Sequence, residues 1–204
     1  MNDFIKKIPT VNIRKANEKD VDDWAEILHQ SSEDIYAQYI SRDYMDKNYS
    51  VERLKEDFLQ EINQDNRNSE LYMLTLNGTS IGILKIGKPI KYYTDGNNYY
   101  RDNIEGIGEI KSLHIKSDYQ GQGIGSQAIS FAERRLKELN YEKSSIWVKM
   151  QNVNAINFYI SRGYQRTNYI NPNTNDKAPS MVMEKDLRTQ LKKYNYNEQE
   201  YSHD

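Results

Sequence analysis

The chain has no cysteine, four prolines and three histidines in 204 residues. The missing thiols exclude a disulfide framework, a thiolate zinc site and a cysteine nucleophile. The histidines, His29, His114 and His203, are far apart in sequence, so no metal is expected. No apolar run approaches the roughly 18 residues that cross a membrane. The start, Met1-Asn2-Asp3-Phe4-Ile5-Lys6-Lys7, lacks an apolar signal core, and a cytoplasmic protein is expected. Neither sign of charge dominates: 28 lysines and arginines face 30 acids, for a net charge of −2. Nothing global therefore calls for nucleic acid.

What is present is a polar globular composition, 37% hydrophobic and 28% charged, with 17 tyrosines. The length fits one domain over residues 1–187, followed by a polar tail over 188–204. Val11 to Arg14 reads as a strand, and Asn17 as the cap of a helix running to about Glu33. Residues 34–50 are tyrosine-rich and show no period. Val51 to Ile62 reads as a helix. Leu71–Leu76 and Ile81–Ile86 flank Asn77-Gly78, a strong hairpin signal. Residues 89–103 read as a long loop. Ile146 to Met150, Tyr164 to Ile170 and Met181 to Met183 read as further strands. On Ile146 to Met150, Trp147 lies on the face opposite Ile146 and Val148.

The densest signal is Gln120-Gly121-Gln122-Gly123-Ile124-Gly125, between the strand Glu109–Ile115 and a helix over 124–140. That helix carries Ile124, Ala128, Ile129, Ala132, Leu136 and Leu139 on one face. Glycines at a helix start let backbone N–H groups approach an anion, which the helix dipole also favours. A P-loop would need a lysine that the turn lacks. A dinucleotide site would need an acid at the end of the next strand, which instead ends Val148-Lys149-Met150-Gln151. A turn whose glycines serve geometry alone stays open at this point.

Downstream lies Val148-x-x-x-Asn152-x-x-Ala155-x-x-Phe158-Tyr159-x-x-x-Gly163-Tyr164. Together the two segments resemble the GNAT superfamily of acyl-CoA-dependent N-acyltransferases, most strongly over residues 105–165. The resemblance implies an α/β fold of mixed α+β type: a central, mostly antiparallel twisted sheet with a splayed β4/β5 pair, flanked by helices. It implies acetyl-CoA as co-substrate. The backbone of Leu113, His114 and Ile115 would pair with pantetheine. The turn Gln120, Gly121, Gln122, Gly123, Ile124, Gly125 and Ser126 would hold the pyrophosphate. Tyr159 would protonate the departing thiolate. Asn152 would contact pantetheine or cap its own helix, and both readings stand. Gly163 reads as a helix C-terminal cap.

The resemblance also implies a base for the incoming amine: Glu109 lies 11 positions before Gln120, a spacing similar to that of the glutamate base in the histone-acetyltransferase branch, and Glu105 is the weaker alternative. By the period-two count Lys111 shares its face, where it could lower the pKa of Glu109, while His114 faces the other side. Residues 30–60 and the 89–103 loop would form the acceptor site. Glu33, Asp34, Tyr36, Tyr39, Asp43, Tyr44 and Asp46, with Tyr92, Tyr93, Asp95, Tyr99 and Tyr100, suit a cationic amine. The pattern is also similar to bacterial spermine/spermidine acetyltransferases. A small amine such as a polyamine is the leading acceptor. A protein amine, at an N-terminus or a lysine, and a non-catalytic acyl-CoA sensor are the alternatives. A homodimer is among the expected assemblies.

Overall fold

The computed structural model describes residues 8–64, 68–89, 104–171 and 178–188. The expectations placed on Tyr92, Tyr93, Asp95, Tyr99, Tyr100 and His203, and on the tail beyond Arg188, lie outside these residues.

Seven strands form one sheet in the order β1-β2-β3-β4-β5-β7-β6. They are β1 (Asn12–Lys15), β2 (Ser69–Leu76), β3 (Thr79–Gly87), β4 (Ile107–Ile115), β5 (Lys143–Lys149), β6 (Gln165–Asn171) and β7 (Ser180–Asp186). Every neighbouring pair is antiparallel except β4 and β5. The β2–β3 hairpin turns at Asn77 (φ 50°) and Gly78 (φ 83°), two positive φ values that asparagine and glycine tolerate.

Helices cover both faces. They are α1 (Val21–Tyr36), α2 (Arg42–Asn48), α3 (Val51–Ile62), α4 (Ile124–Glu138) and α5 (Val153–Ser161). The alternation along β2 assigns the faces. Leu71 and Met73 pack with Trp24 and Ile27 of α1 and Phe58 and Ile62 of α3. Tyr72 and Leu74 pack with Ile124, Ala128, Ile129, Ala132 and Leu136 of α4 and Ile156 of α5. Ile146 and Val148 of β5 also face α4 and α5.

Local capping sets the helix starts. The Asn17 side chain accepts from Lys19 N–H, and Asp20 accepts from Asn17 N–H, a reciprocal cap before α1. Arg14 grips the same Asp20 with two bonds of 2.8 and 2.6 Å. The partly buried pair holds the Asp20 carboxyl below the usual carboxylate range, mainly through the arginine hydrogen bond.

Residues 34–50 differ from the aperiodic expectation. They finish α1 and form α2, with Ser41 as its cap. Ile40, Met45 and Ala178 make a small core there, ringed by Tyr36, Tyr39, Tyr44 and Tyr49. Four tyrosines pack against that core, so the segment lacks aliphatic periodicity. Its packing partner Ala178 lies far away in sequence.

Candidate active site

The decisive geometry lies between β4 and β5. Their parallel register runs Ile107↔Lys143, Gly108↔Ser144, Glu109↔Ser145 and Ile110↔Ile146, and goes no further. Beyond Ile110 the two strands part. On its other edge β4 stays paired to β3 through Gly82↔Ile115.

Which backbone groups face the gap follows from the ladder. Lys116 N–H donates to Ile81 O at 2.9 Å, so those residues are a hydrogen-bonded pair. Such pairs alternate in an antiparallel ladder. In this register Ile83↔His114 is the next bonded pair. Leu113 and Ile115 occupy the alternate positions, so their N–H and C=O groups point away from β3, into the gap. The Ile115 carbonyl there accepts a 2.8 Å bond from Gln120 Nε2. Of the three strand residues expected to offer backbone to a ligand, His114 is the one turned toward β3.

A bulge in β4 changes a second expectation. Lys85 pairs with Ser112 but Ile86 with Ile110, leaving Lys111 as the extra residue. Gly108 and Ile110 face α4: a Cβ on Gly108 would lie 2.5 Å from Leu136 Cδ2. Glu109 therefore faces α1 and α3, where it is buried at 4% exposure. Without the bulge His114 would face the other way. With it, His114 shares the Glu109 face, and its Nδ1 meets Ser31 Oγ of α1 at 2.7 Å. Burial pulls the His114 imidazole down to about 4, so it is neutral at ordinary pH. Lys111 also feels this face. Burial, then Lys85, lowers its pKa, while Glu109 and Glu61 oppose the shift.

At the far end of β4 the chain makes a short 3-10 turn, Ser117–Tyr119, and enters α4. Gly121 (φ 69°) and Gly123 (φ 81°) have the positive φ that the turn requires. Gly123 is the N-cap of α4 and, having no side chain, offers the helix start no capping bond. Its first amides are those that a helix leaves without a backbone partner. Gly125 is needed for closeness instead. A Cβ there would lie 3.2 Å from Phe158 Cζ and 3.6 Å from Ile115 Cδ1. Gln122 Nε2 bonds to Asp118 O at 2.8 Å, which tightens the turn.

On the other wall, α5 follows β5. Asn152 Oδ1 accepts from Ala155 N–H at 3.1 Å, so Asn152 caps the helix. The helix ends with Tyr164 N–H bonding to Tyr159 O and Gly163 N–H to Ile160 O, with Gly163 at φ 89°. That double bond pattern is the glycine-dependent helix stop. Tyr159 is 8% exposed, its ring edge-on to Phe158 at 5.3 Å and to Tyr164 at 5.8 Å. Burial raises its hydroxyl well above the usual tyrosine range, so it keeps its proton.

Residues 29–164 match the family model described as Acetyltransferase (GNAT) family. The chain belongs to this family. It is an N-acetyltransferase, and its mixed sheet with the splayed β4/β5 pair is the GNAT fold. A relative in Lactobacillus delbrueckii subsp. lactis, an uncharacterized N-acetyltransferase in the pepI 3′ region, is 27% identical over 166 residues, covering 76% of this chain and 85% of that one. A spermidine N(1)-acetyltransferase of Thermoplasma acidophilum is 23% identical over 158 residues, covering 76% and 89%. The solved structure of the PaiA N-acetyltransferase of the same organism, in complex with coenzyme A, superposes with a TM-score of 0.63 at 20% identity. It covers 87% of this chain and 99% of that one.

Within this GNAT chain the expected acceptor wall is only partly charged. Arg42 binds Glu33 at 2.9 Å and Asp46 at 2.6 Å, so two of the carboxylates expected to attract a cation already have one. The aromatic part is assembled: Tyr36 lies 6.0 Å from both Tyr39 and Tyr49, ring to ring. His29 bonds to Tyr49 O through Nδ1 at 2.6 Å, tying α1 to that cluster. Among the described residues no three His, Asp or Glu side chains gather as a metal site, and no helix is long and apolar enough to cross a membrane.

Proposed function

We propose that this GNAT protein transfers the acetyl group of acetyl-CoA to a primary amine by direct attack, with a small cationic amine of the polyamine class as acceptor. One observation carries the reading: Leu113 and Ile115 turn their backbone groups into the β4/β5 gap, beside the start of α4 and Phe158. Pantetheine carries amides and can pair with those groups as a strand would. The amides from Gln122 to Ser126, with the helix dipole, would hold the diphosphate without a basic side chain. Gln120 contributes through its bond to Ile115 O, which fixes the turn against the strand end.

The amine attacks the thioester carbonyl, a C–N bond forms and the C–S bond breaks. An alkyl amine is mostly protonated near neutral pH, so a base must take its proton. Glu109, buried on the face toward α1, is the candidate. Lys111 has no partner residue in the β3 register, so its amide is a candidate donor to the developing oxyanion. Tyr159 keeps its proton and is the candidate donor to the departing sulfur.

The tyrosine cluster and the similarity to a spermidine acetyltransferase support a polyamine acceptor. The test is a panel of spermidine, simple monoamines and a peptide with a free N-terminus, each with acetyl-CoA, following thiol release. Spermidine should turn over fastest. Preference for the peptide would overturn the acceptor assignment alone. No release with any amine would overturn the catalytic reading in favour of an acyl-CoA sensor.

A further inference from the structure

The segment before β1 is strapped onto the first turns of α4. Gln127 of α4 donates through Nε2 to Pro9 O at 2.8 Å, and its Oε1 accepts from Val11 N–H at 3.1 Å. Val11 is buried in the α4 core. This double clamp fixes the position of Ile8, the residue just outside it. A Cβ on Gly123 would lie 3.0 Å from Ile8 Cγ2. Yet Ile8 is 63% exposed, the most exposed large hydrophobic residue among those described. An aliphatic side chain is thus held in solvent at the rim of the glycine turn.

The two glycines of the turn separate two directions. Gly125 faces Phe158 and Ile115, the side of the β4/β5 gap. Gly123 faces Ile8, away from it. In coenzyme A the pantetheine arm and the 3′-phosphoadenosine arm leave the diphosphate from opposite ends. If pantetheine runs along Ile115 and Phe158, the nucleoside leaves on the side where Ile8 stands. We propose that Ile8 is a coenzyme-binding residue that packs against the adenine ring, with Gln127 as the positioning residue that holds it there. A flat apolar base face and a branched aliphatic side chain bury surface together without needing polar partners. This inference rests on the reading that the turn holds the diphosphate.

The test compares coenzyme A with 4′-phosphopantetheine, which lacks the 3′-phosphoadenosine and one phosphate of the diphosphate, by calorimetry on the full chain. Ile8→Asn should raise the Kd for coenzyme A roughly three- to tenfold, the worth of one modest apolar contact, and leave that for 4′-phosphopantetheine unchanged. Gln127→Ala should act in the same direction, and Ile8→Val should stay near wild type. Because Ile8 is so exposed, thermal melting should show Ile8→Asn folded as wild type. An unchanged Kd for coenzyme A in Ile8→Asn, or an equal loss for both ligands, overturns the inference while the turn keeps its role. Wild-type protein that binds neither ligand overturns the turn assignment and this inference together.

Discussion

Replacing Tyr159 with phenylalanine removes one oxygen and leaves the ring where it packs. The ring contacts to Phe158 at 5.3 Å and Tyr164 at 5.8 Å survive, as does the backbone bond from Tyr164 N–H to Tyr159 O. The stability change should therefore stay within about 1 kcal/mol, the scale of one hydrogen bond. For a chain of this size that moves Tm by roughly 2–4 °C. Under the proposed role the catalytic loss should be larger. A positioned general acid contributes about 10² to 10⁴ in rate. A thiol ionises near pH 8.5 and leaves more readily than an alcohol, so the low end applies, about a hundredfold in kcat or about 2.7 kcal/mol. Affinity for coenzyme A should hold within about twofold, or 0.4 kcal/mol, since its proposed anchors lie on β4 and α4. Thiol release is the natural assay, because the chain has no cysteine to add background. Burial keeps the Tyr159 proton bound, so wild-type kcat should not fall through loss of that proton up to about pH 10, the ordinary tyrosine value. An unchanged kcat would show that the thiolate leaves unaided. A parallel loss of kcat, coenzyme affinity and Tm would show that Tyr159 is packing and nothing more.

Two other perturbations are as direct. Burial sets the His114 imidazole at about 4 against an ordinary 6.5. As pH falls, the unfolded chain takes the proton first, so stability is full above about pH 6.5 and declines until about pH 4. The decline should total about 3 kcal/mol at 1.36 kcal/mol per pH unit. Denaturant midpoints across that window should show it and flatten in His114→Asn, and an equal slope in the variant would refute the assignment. Gly125→Val puts a branched side chain 3.2 Å from Phe158 Cζ. It should cost about 1–3 kcal/mol of stability and weaken coenzyme A binding, both measurable by melting with and without ligand. Unchanged values for both would mean that the turn and α5 are not in the contact described.

Much of this site was legible because its rules are local. Asn77-Gly78 demands a tight hairpin wherever the chain goes. Gly163 stops α5 through bonds within five residues, and Asn152 caps it across three. The glycine turn reads as a helix start from spacing alone. What escaped depends on partners distant in sequence. The bulge at Lys111 exists because β3 and β4 count differently between Lys85 and Ile86. That single extra residue reverses the phase of everything after it, bringing His114 round to Glu109 and Ser31. Helix α2 hides for the same reason, since its small core is completed by Ala178. Ile8 had no sequence signal at all, because only the Gln127 clamp gives it a place.

The four residue pairs between β4 and β5 have a mechanical consequence. They are the only ladder joining the block β1-β2-β3-β4 to the block β5-β7-β6 among the described residues. The sheet is thus two plates sewn along one short seam, at the end where Glu109 lies beside Ser145. The strands separate past Ile110, toward Leu113 and Ile115, while Glu109 lies within the seam. Under the proposed reading, the path for the pantetheine arm and the candidate base Glu109 thus lie at opposite ends of one strand pair.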